Sequence, residues 1–308
     1  MKILFMGTPD FAVPCIEILK ENGHEICAVV TQSDKPKGRG HKLVAPPVKV
    51  FALENNIPVY QPESIRNGEL KPVLDELSPE LIVVVAYGKI LPEYILNFPK
   101  YGCINVHASL LPRYRGAAPI QWAVINGEKE TGVTTMHMEK GLDTGDMIDK
   151  AVTEIGERET YGELHDRLSV MGAELLIKTV SSIEAGNARR EKQDDSLSDY
   201  APMISRQTGL IDWNKSAQEI VNLIRGCNPY PMAYTTYNGE VLKIISAVVG
   251  NECAGVCGSI KIEDKKLKIV CGDGKCIIAD EIQPTSSKRM SVASYLNGHT
   301  IDESVILV

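Results

Sequence analysis

An amide and an imidazole lie two positions apart at the end of an apolar segment. Asn105 and His107 close the run Cys103-Ile-Asn-Val-His107, whose apolar character predicts a buried strand. Side chains alternate between the two faces of a strand, so residues two positions apart project from the same face. We therefore expect these two side chains to be neighbours that can aim hydrogen bonds at one substrate group.

A carboxylate follows the next predicted strand. Turn residues fill 141–146 (GLDTGD), directly after a strand predicted at 133–138. In α/β sheets the carboxyl ends of parallel strands border the ligand-binding crevice, so this loop can lie at the same sheet edge as His107. We expect Asp143 to approach His107 there and to orient its imidazole.

Each of these residues also has an ordinary structural explanation when it is taken alone. Asn105 can cap a turn, and His107 can be a hydrogen-bonded histidine of the core. Asp143 and its neighbour Asp146 can stabilise the Gly-rich loop. The combination of an amide, an imidazole and a carboxylate at one sheet edge is what favours an active site.

The elements that must position these residues alternate between strands and helices. Short β-rich runs at 2–7 and 25–31 flank a helical pattern, and Thr8-Pro9-Asp10 supplies a helix start between them. Further elements are predicted as strands at 81–86, 103–107 and 133–138 and as helices near 45–55, 118–126 and 160–185. Near-continuous apolar strands predict a buried, mostly parallel sheet flanked by helices, so the fold class is α/β and Rossmann-like.

A polar stretch separates this region from a different kind of sequence. Residues 186–208 lack apolar periodicity, which predicts a linker. A helix near 215–226 comes next, and then short strands predicted at 232–237, 241–249, 256–262, 267–270 and 276–282. Five short strands separated by turns are typical of a small OB-fold-like β-barrel. The predicted domains are a catalytic domain at 1–187, a linker at 188–208 and a C-terminal domain at 209–308.

The composition limits the classes of protein that fit. The 308 residues include 33 Lys and Arg against 40 Asp and Glu, a formal net charge of −7, so nucleic-acid contacts must come from local basic patches. No apolar run approaches the roughly 20 residues that span a bilayer, and the N-terminus lacks a signal-peptide core. We expect a cytoplasmic protein with no membrane partner.

The eight cysteines are best explained as small apolar side chains of a cytosolic protein, so we expect no disulfide framework. Cys253-x3-Cys257 and Cys271-x4-Cys276 leave a zinc site open as an alternative. Neither pair has the two-residue spacing of zinc knuckles and ribbons. Cysteines within strands are the favoured interpretation, and we expect no metal.

Residues 105–147 (NVHASLLPRYRGAAPIQWAVINGEKETGVTTMHMEKGLDTGDM) resemble the signature of the folate-dependent formyltransferases. Within that superfamily the chain is most similar to the members that act on methionyl-tRNA. The similarity includes MGTPDFAVP at 6–14, TQSDKPKGRGHKLVAPPVK at 31–49, IDW at 211–213 and KRMS at 288–291. The resemblance therefore covers nearly the whole chain.

The resemblance implies transfer of a formyl group from 10-formyltetrahydrofolate to the α-amine of initiator methionyl-tRNA. Asn105, His107 and Asp143 match the catalytic residues of the family. Asn105 and a protonated His107 would stabilise the oxyanion of a tetrahedral intermediate, with Asp143 assisting proton transfer. We expect the enzyme to be a monomer that needs no metal.

The resemblance also implies a folate pocket formed by strand ends and loops, in which backbone groups read the pteridine ring. It involves the segment 85–91, the SLLP segment at 109–112 and the loop at 138–143. The expected folate-binding residues are Val85, Ala86, Tyr87, Ile90, Leu91, Ser109, Leu110, Leu111, Pro112, Met138 and Gly141.

The segment 33–49 concentrates positive charge in an acidic protein: its cations are Lys35, Lys37, Arg39, Lys42 and Lys49. A solvated loop is one explanation, and phosphate contact is the favoured one. The resemblance implies that this loop enters the acceptor arm of the tRNA, with Arg39 as the main recognition residue. The predicted tRNA-binding residues are Lys35, Lys37, Arg39 and Lys42.

Basic clusters in the C-terminal domain either add RNA contacts or form a solvated edge. They comprise Lys261, Lys265, Lys266, Lys268, Lys288 and Arg289.

Three other functions compete with this interpretation. Formyl transfer to an amino-sugar nucleotide or to a purine precursor would use the same three residues. A nicotinamide dehydrogenase could be built on the same sheet, but one glycine alone follows the first strand, so the G-x-G-x-x-G pattern is missing. An RNA-binding protein without catalysis would leave Asn105, His107 and Asp143 unexplained.

Overall fold

The computed structural model describes residues 1–37 and 42–308. Its helices are α1 (Val13–Glu21), α2 (Pro47–Glu54), α3 (Lys71–Leu77), α4 (Glu93–Leu96), α5 (Pro119–Ile125), α6 (Tyr161–Glu184), α7 (Ala217–Gly226) and α8 (Val292–Leu296). Short 3-10 turns lie at Asp10–Ala12, Asp195–Leu197 and Arg206–Gly209.

The strands of the first part of the chain are β1 (Lys2–Gly7), β2 (Glu25–Val30), β3 (Lys35–Lys37), β4 (Lys42–Val44), β5 (Val59–Tyr60), β6 (Leu81–Val85), β7 (Cys103–His107), β8 (Arg115–Gly116), β9 (Glu130–His137) and β10 (Met147–Glu154). The strands that follow α6 in the chain are β11 (Tyr200–Ala201), β12 (Ala233–Tyr237), β13 (Glu240–Glu252), β14 (Ile260–Glu263), β15 (Lys266–Val270), β16 (Lys275–Pro284) and β17 (Met290–Ser291).

The chain forms two compact units, of which the first comprises residues 1–119, 130–153 and 165–201. Its sheet has the strand order β10-β9-β7-β6-β1-β2-β5. The neighbours β7, β6, β1, β2 and β5 pair in parallel. Every residue of β6 and β7 is buried, as the continuous apolar runs predict. The predicted mostly parallel sheet flanked by helices is confirmed.

The second unit comprises residues 120–129, 154–164 and 202–308. Its antiparallel sheet has the order β12-β13-β16-β15-β14, and β17 pairs with β16. Helix α7 starts with a capping box between Ser216 and Glu219 and packs its apolar side against this sheet. The predicted C-terminal β domain is confirmed, with β17 added to the five predicted strands. The domain bounds at 187 and 208 stay a prediction.

The segment after β1 differs from the predicted helix start. Thr8 does not cap a helix: a 3-10 turn follows Pro9, and α1 begins at Val13. The Thr8 hydroxyl instead donates to the Tyr87 carbonyl oxygen at 3.4 Å and accepts from the Gln32 backbone N–H at 3.3 Å. Thr8 therefore joins the carboxyl ends of three parallel strands.

The direction of β9 is the topological feature that most affects the candidate site. β9 runs antiparallel to β7, with Ile104 opposite His137 and His107 opposite Thr134. The sheet is thus parallel up to β7 and changes direction at β9. The loop that follows β9 consequently begins beside the start of β7.

A substitution at Gly132 of β9 tests the close pairing of β9 with β10 at the edge of the sheet. A Cβ at Gly132 would lie 1.9 Å from the Ala151 carbonyl oxygen, so Gly132→Ala forces the two strands apart. We expect the free energy of unfolding, measured by urea denaturation, to fall by about 1–3 kcal/mol.

Gly298→Ala is the matched control, because a Cβ there meets nothing within 4 Å. It should leave the free energy of unfolding within about 0.5 kcal/mol of the unmodified protein. Equal stability of the two variants would contradict the packing of β9 against β10.

Candidate active site

His107 is buried at the end of β7, with 6% of its surface exposed. Its Nε2 lies 2.9 Å from the Tyr114 carbonyl oxygen. A carbonyl oxygen accepts hydrogen bonds only, so Nε2 carries the proton of this contact. Nδ1 lies 3.7 Å from Asp143 Oδ2, which is longer than a hydrogen bond. The backbone thus fixes the ring and turns Nδ1 towards the carboxylate.

Asp143 is held at two points of its own structure. Its Oδ2 accepts the Gly116 backbone N–H at 2.9 Å, and its carbonyl oxygen accepts from Gln193 Nε2 at 2.7 Å. The residue adopts a φ of +53°, a left-handed conformation that few non-glycine residues take. The carboxylate is therefore placed by a fixed loop and not by a freely rotating side chain.

The loop carrying Asp143 takes a different path from the one the sequence predicts. The Met138 backbone N–H donates to the Cys103 carbonyl oxygen at 2.8 Å, so the loop begins at the start of β7. Asp143 nevertheless lies beside His107, at the end of β7, about 13 Å further along the strand. The predicted proximity of the two residues is present, but the loop reaches it by folding back along β7.

Asn105 provides the free hydrogen-bonding group of the site. It pairs in register with Val84 of β6, and 9% of its surface is exposed. Among residues 1–37 and 42–308, no protein group hydrogen-bonds its side-chain amide. The amide is also not sealed off: in the described part of the chain, Tyr87 Oη and His137 Nε2 are the fully buried side-chain atoms without a partner. A buried amide with unused capacity is suited to a substrate.

The segment 188–201, predicted as a linker, packs on the loops of the same unit. β11 pairs in parallel with β8, and Asp199 accepts hydrogen bonds from the backbone N–H groups of Tyr114 and Arg115. Gln193 bonds both to Arg115 and to the Asp143 loop. Polar residues without periodicity carried no signal for this role.

Comparison with known proteins gives this arrangement a family. Residues 1–180 match the formyl transferase family, and residues 203–300 match the formyl transferase C-terminal domain. The chain is 54% identical to a methionyl-tRNA formyltransferase of Alkaliphilus oremlandii, over 100% of this chain and 99% of the relative. A methionyl-tRNA formyltransferase of Geobacter metallireducens is 52% identical, over 100% and 98% of the two chains. The chain belongs to the formyl transferase family.

A solved structure supports the same fold. A sugar 3N-formyl transferase, determined in the presence of dTDP and 5-N-formyl-THF, superimposes with a TM-score of 0.68 at 24% identity. The match covers 94% of this chain and 99% of that one. As a formyl transferase the protein is an enzyme, which excludes both the nicotinamide dehydrogenase and the RNA-binding protein without catalysis.

The first predicted folate segment of this formyl transferase lies beside β7. Val85 ends β6, next to the strand of Asn105, and Ala86 follows with a φ of +48°. Tyr87 and Leu91 point into the core, where burial raises the pKa of the Tyr87 hydroxyl to about 12. Ala86 and Ile90 are exposed, and 73% of the surface of Ile90 is accessible. Tyr87 and Leu91 can thus offer backbone groups to a ligand, while Ile90 can offer a side chain.

The remaining predicted folate residues occupy four settings. Ser109 donates its hydroxyl to the Arg113 carbonyl oxygen at 2.7 Å, in the turn that also contains Leu110 and Pro112. Leu111 packs with Met136 and Met147 in a small buried cluster. Met138 packs against the main core, and Gly141 adopts a φ of +153° in the Asp143 loop. Their contact with folate stays a prediction.

The predicted tRNA-binding segment contains a hairpin of β3 and β4, with Lys35 opposite Val44. Lys35 is exposed. Arg39 and the side chains of Lys37 and Lys42 lie outside the described residues. The Lys49 ammonium already has a partner within the protein, because its Nζ lies 2.9 Å from both carboxylate oxygens of Asp34. Hydrogen bonds from Lys49 and Gln61 lower the pKa of the Asp34 carboxyl.

Two of the basic residues in the second unit already have carboxylate partners. Lys268 pairs with Glu263, and Arg289 pairs with Glu281. These pairs favour a solvated edge over phosphate contact at these two positions.

Several further observations concern metals, thiols and membranes. All eight cysteines are free thiols. In residues 1–37 and 42–308, no cluster of three or more His, Cys, Asp or Glu side chains is arranged to hold a metal ion. Over the same residues, every helix is too short or too polar to cross a membrane.

Gly116 pairs with Ala201 and donates its N–H to Asp143, so a substitution at Gly116 tests how the segment 188–201 supports Asp143. Its φ is +124°, and a Cβ there would lie 2.7 Å from the Ala201 carbonyl oxygen. In Gly116→Ala the N–H that holds Asp143 must shift, so we expect kcat for formyl transfer to fall about 100-fold.

Gly102→Ala is the matched control for backbone strain. Gly102 also has a positive φ of +75°, but a Cβ there meets nothing within 4 Å. We expect this control to lose stability without losing comparable activity. A Gly116→Ala enzyme with normal kcat would show that the Gly116 contact to Asp143 is dispensable.

Proposed function

We propose that this enzyme transfers the formyl group of 10-formyltetrahydrofolate to the α-amino group of methionyl-tRNA. The family match and the name of the relatives at 52–54% identity support this reaction. A folate derivative as donor is also consistent with the 5-N-formyl-THF in the similar sugar formyl transferase structure. The observation in this chain that carries the proposal is the unpartnered, nearly buried amide of Asn105, two positions before His107 on the same strand, with Asp143 3.7 Å from His107.

The chemistry requires the groups that the site contains. The amine nitrogen attacks the formyl carbon, a C–N bond forms, and the carbonyl electron pair becomes an oxyanion. Asn105 has an uncommitted N–H pair for that oxygen. An aimed donor of this kind contributes about 10²–10³ in rate. The bond from the formyl carbon to N10 then breaks, which leaves tetrahydrofolate and formylmethionyl-tRNA.

His107 and Asp143 stabilise the charge and transfer the proton in this reaction. With Nε2 fixed on the Tyr114 carbonyl oxygen, Nδ1 is the imidazole nitrogen available for the reaction. When protonated, Nδ1 donates towards the oxyanion, and the carboxylate 3.7 Å away balances its charge. Asp143, directly or through a water molecule, takes the proton that the attacking amine must lose. N10 gains a proton as it leaves.

The choice of acceptor rests on degree of similarity. The similar solved structure that acts on a sugar is 24% identical, whereas the methionyl-tRNA formyltransferases are 52–54% identical over nearly their full length. The basic hairpin of β3 and β4 agrees with an RNA acceptor. Preference for initiator tRNA, a cytoplasmic location and a monomeric state stay predictions.

The test supplies the purified enzyme with 10-formyltetrahydrofolate that carries a labelled formyl group. Separate reactions contain methionyl-tRNA, free methionine or an amino-sugar nucleotide as the acceptor. We expect label on methionyl-tRNA alone. Label on the sugar nucleotide alone would move the enzyme to the sugar-modifying branch of the family.

Replacement of Asn105 separates catalysis from folding. Asn105→Leu keeps the approximate volume and removes an amide that has no partner in the described protein. We expect kcat to fall about 10²–10³-fold. The free energy of unfolding should stay within about 1 kcal/mol of its original value, because no internal hydrogen bond is lost.

Asn67→Ala, at an exposed asparagine, serves as the control and should leave both quantities unchanged. A fully active Asn105→Leu enzyme would remove the central support for the proposed mechanism.

Lys49 tests the basic hairpin separately from the chemistry. Its ammonium joins Asp34, directly before β3, to Gln61 Oε1 at 2.7 Å. Lys49→Met leaves the Asp34 carboxylate without this cation at the base of the hairpin. We expect KM for methionyl-tRNA to rise about tenfold, equivalent to ~1.4 kcal/mol of binding, with kcat little changed.

Lys71→Met removes one positive charge from an exposed position on α3 and is the control. If both variants change KM for methionyl-tRNA equally, the effect is one of net charge and the hairpin anchor is not required.

A further inference from the structure

We propose that Gln193 is a positioning residue of the active site, which fixes the loop of Asp143 and thereby sets that carboxylate against His107. Gln193 lies in the polar segment after α6, outside the strands that form the site. The inference rests on the proposed function, because it concerns the geometry of the same reaction.

The side-chain amide of Gln193 uses all of its hydrogen-bonding capacity within the protein. Nε2 donates to the Asp143 carbonyl oxygen at 2.7 Å and to the Gly145 carbonyl oxygen at 2.8 Å. Oε1 accepts from Arg115 Nε at 3.0 Å and from a terminal nitrogen of Arg115 at 2.8 Å. One amide therefore bonds to both loops that surround His107.

The two loops both need an external support. Asp143 sits in a left-handed conformation with a φ of +53°, which costs conformational free energy and persists where the surroundings hold it. Its loop starts at the far end of β7 and must return to His107. The two bonds from Gln193 Nε2 hold the carbonyl oxygens of Asp143 itself and of Gly145, two residues later in the same loop. They fix the backbone from which the carboxylate projects.

The contact with Arg115 transmits the same constraint to the other loop. Arg115 is buried, and the next residue, Gly116, donates its N–H to Asp143 Oδ2 at 2.9 Å. Gln193 thus helps to fix two positions: the backbone of Asp143, and the Gly116 N–H that binds the Asp143 carboxylate. A change in the amide should alter the spacing between Asp143 and His107 and leave the strand of Asn105 in place.

The decisive variant is Gln193→Glu in the full-length enzyme. A glutamate keeps the length of the side chain and its acceptor for Arg115, but it cannot donate to the two carbonyl oxygens. If Gln193 served only to satisfy Arg115, this variant would be as active as the unmodified enzyme. Loss of activity would therefore assign the effect to the bonds that hold the Asp143 loop.

We expect Gln193→Glu to lower kcat about 100-fold, as a misplaced catalytic group does. KM for 10-formyltetrahydrofolate and for methionyl-tRNA should stay within about threefold, because transition-state contacts and not ground-state binding are lost. Gln193→Met, which is similar in length and uncharged, should give the same pattern and guards against an effect of the added charge. Thermal melting confirms that each variant is folded.

Lys192→Ala is the matched control from the adjacent position, where the side chain is exposed. It should leave kcat and both KM values unchanged. Unchanged kcat in Gln193→Glu, or an effect on KM alone, would overturn the inference while the proposed function stands. An unmodified enzyme that cannot formylate methionyl-tRNA would instead overturn the proposed function.

Discussion

The return of one loop along β7 is the constraint on which the site depends. β9 pairs antiparallel with β7, so the chain leaves the sheet at the end opposite to His107. Asp143 must then be carried back about 13 Å to meet the imidazole. Three features hold the loop in this returned position: the N–H of Gly116, the left-handed backbone of Asp143 and the side-chain amide of Gln193. Loop packing thus places the Asp143 carboxylate, whereas the strand itself places Asn105 and His107.

The side chains of the site differ in whether the protein satisfies their hydrogen bonds. His107 Nε2 and both ends of the Gln193 amide are occupied by protein partners. The Asn105 amide is left open in the part of the chain that the structure describes. A folded protein rarely leaves such a group unused, and an aimed donor needs no rearrangement when an oxyanion forms. The protein therefore fixes His107 and Asp143 by internal contacts and leaves the Asn105 amide available to a substrate.

Local patterns in the sequence predicted what depends on local structure. The alternation of faces along a strand predicted that Asn105 and His107 project from the same side of β7, and continuous apolar runs predicted the buried parallel strands. The direction of β9 could not be predicted, because an apolar run reads the same in either orientation. Gln193 gave no signal either: it lies in a polar segment whose role depends on contacts with residues about 50 and 80 positions earlier in the chain.

The most direct measurement is a crystal structure of the enzyme with bound 5-formyltetrahydrofolate, a stable isomer of the proposed donor. We expect the formyl oxygen to lie about 3 Å from Asn105 Nδ2. We also expect the formyl carbon to face the space between His107 Nδ1 and the Asp143 carboxylate. A folate bound with its formyl group remote from Asn105, while that amide stays unpartnered, would contradict the assignment of the active site.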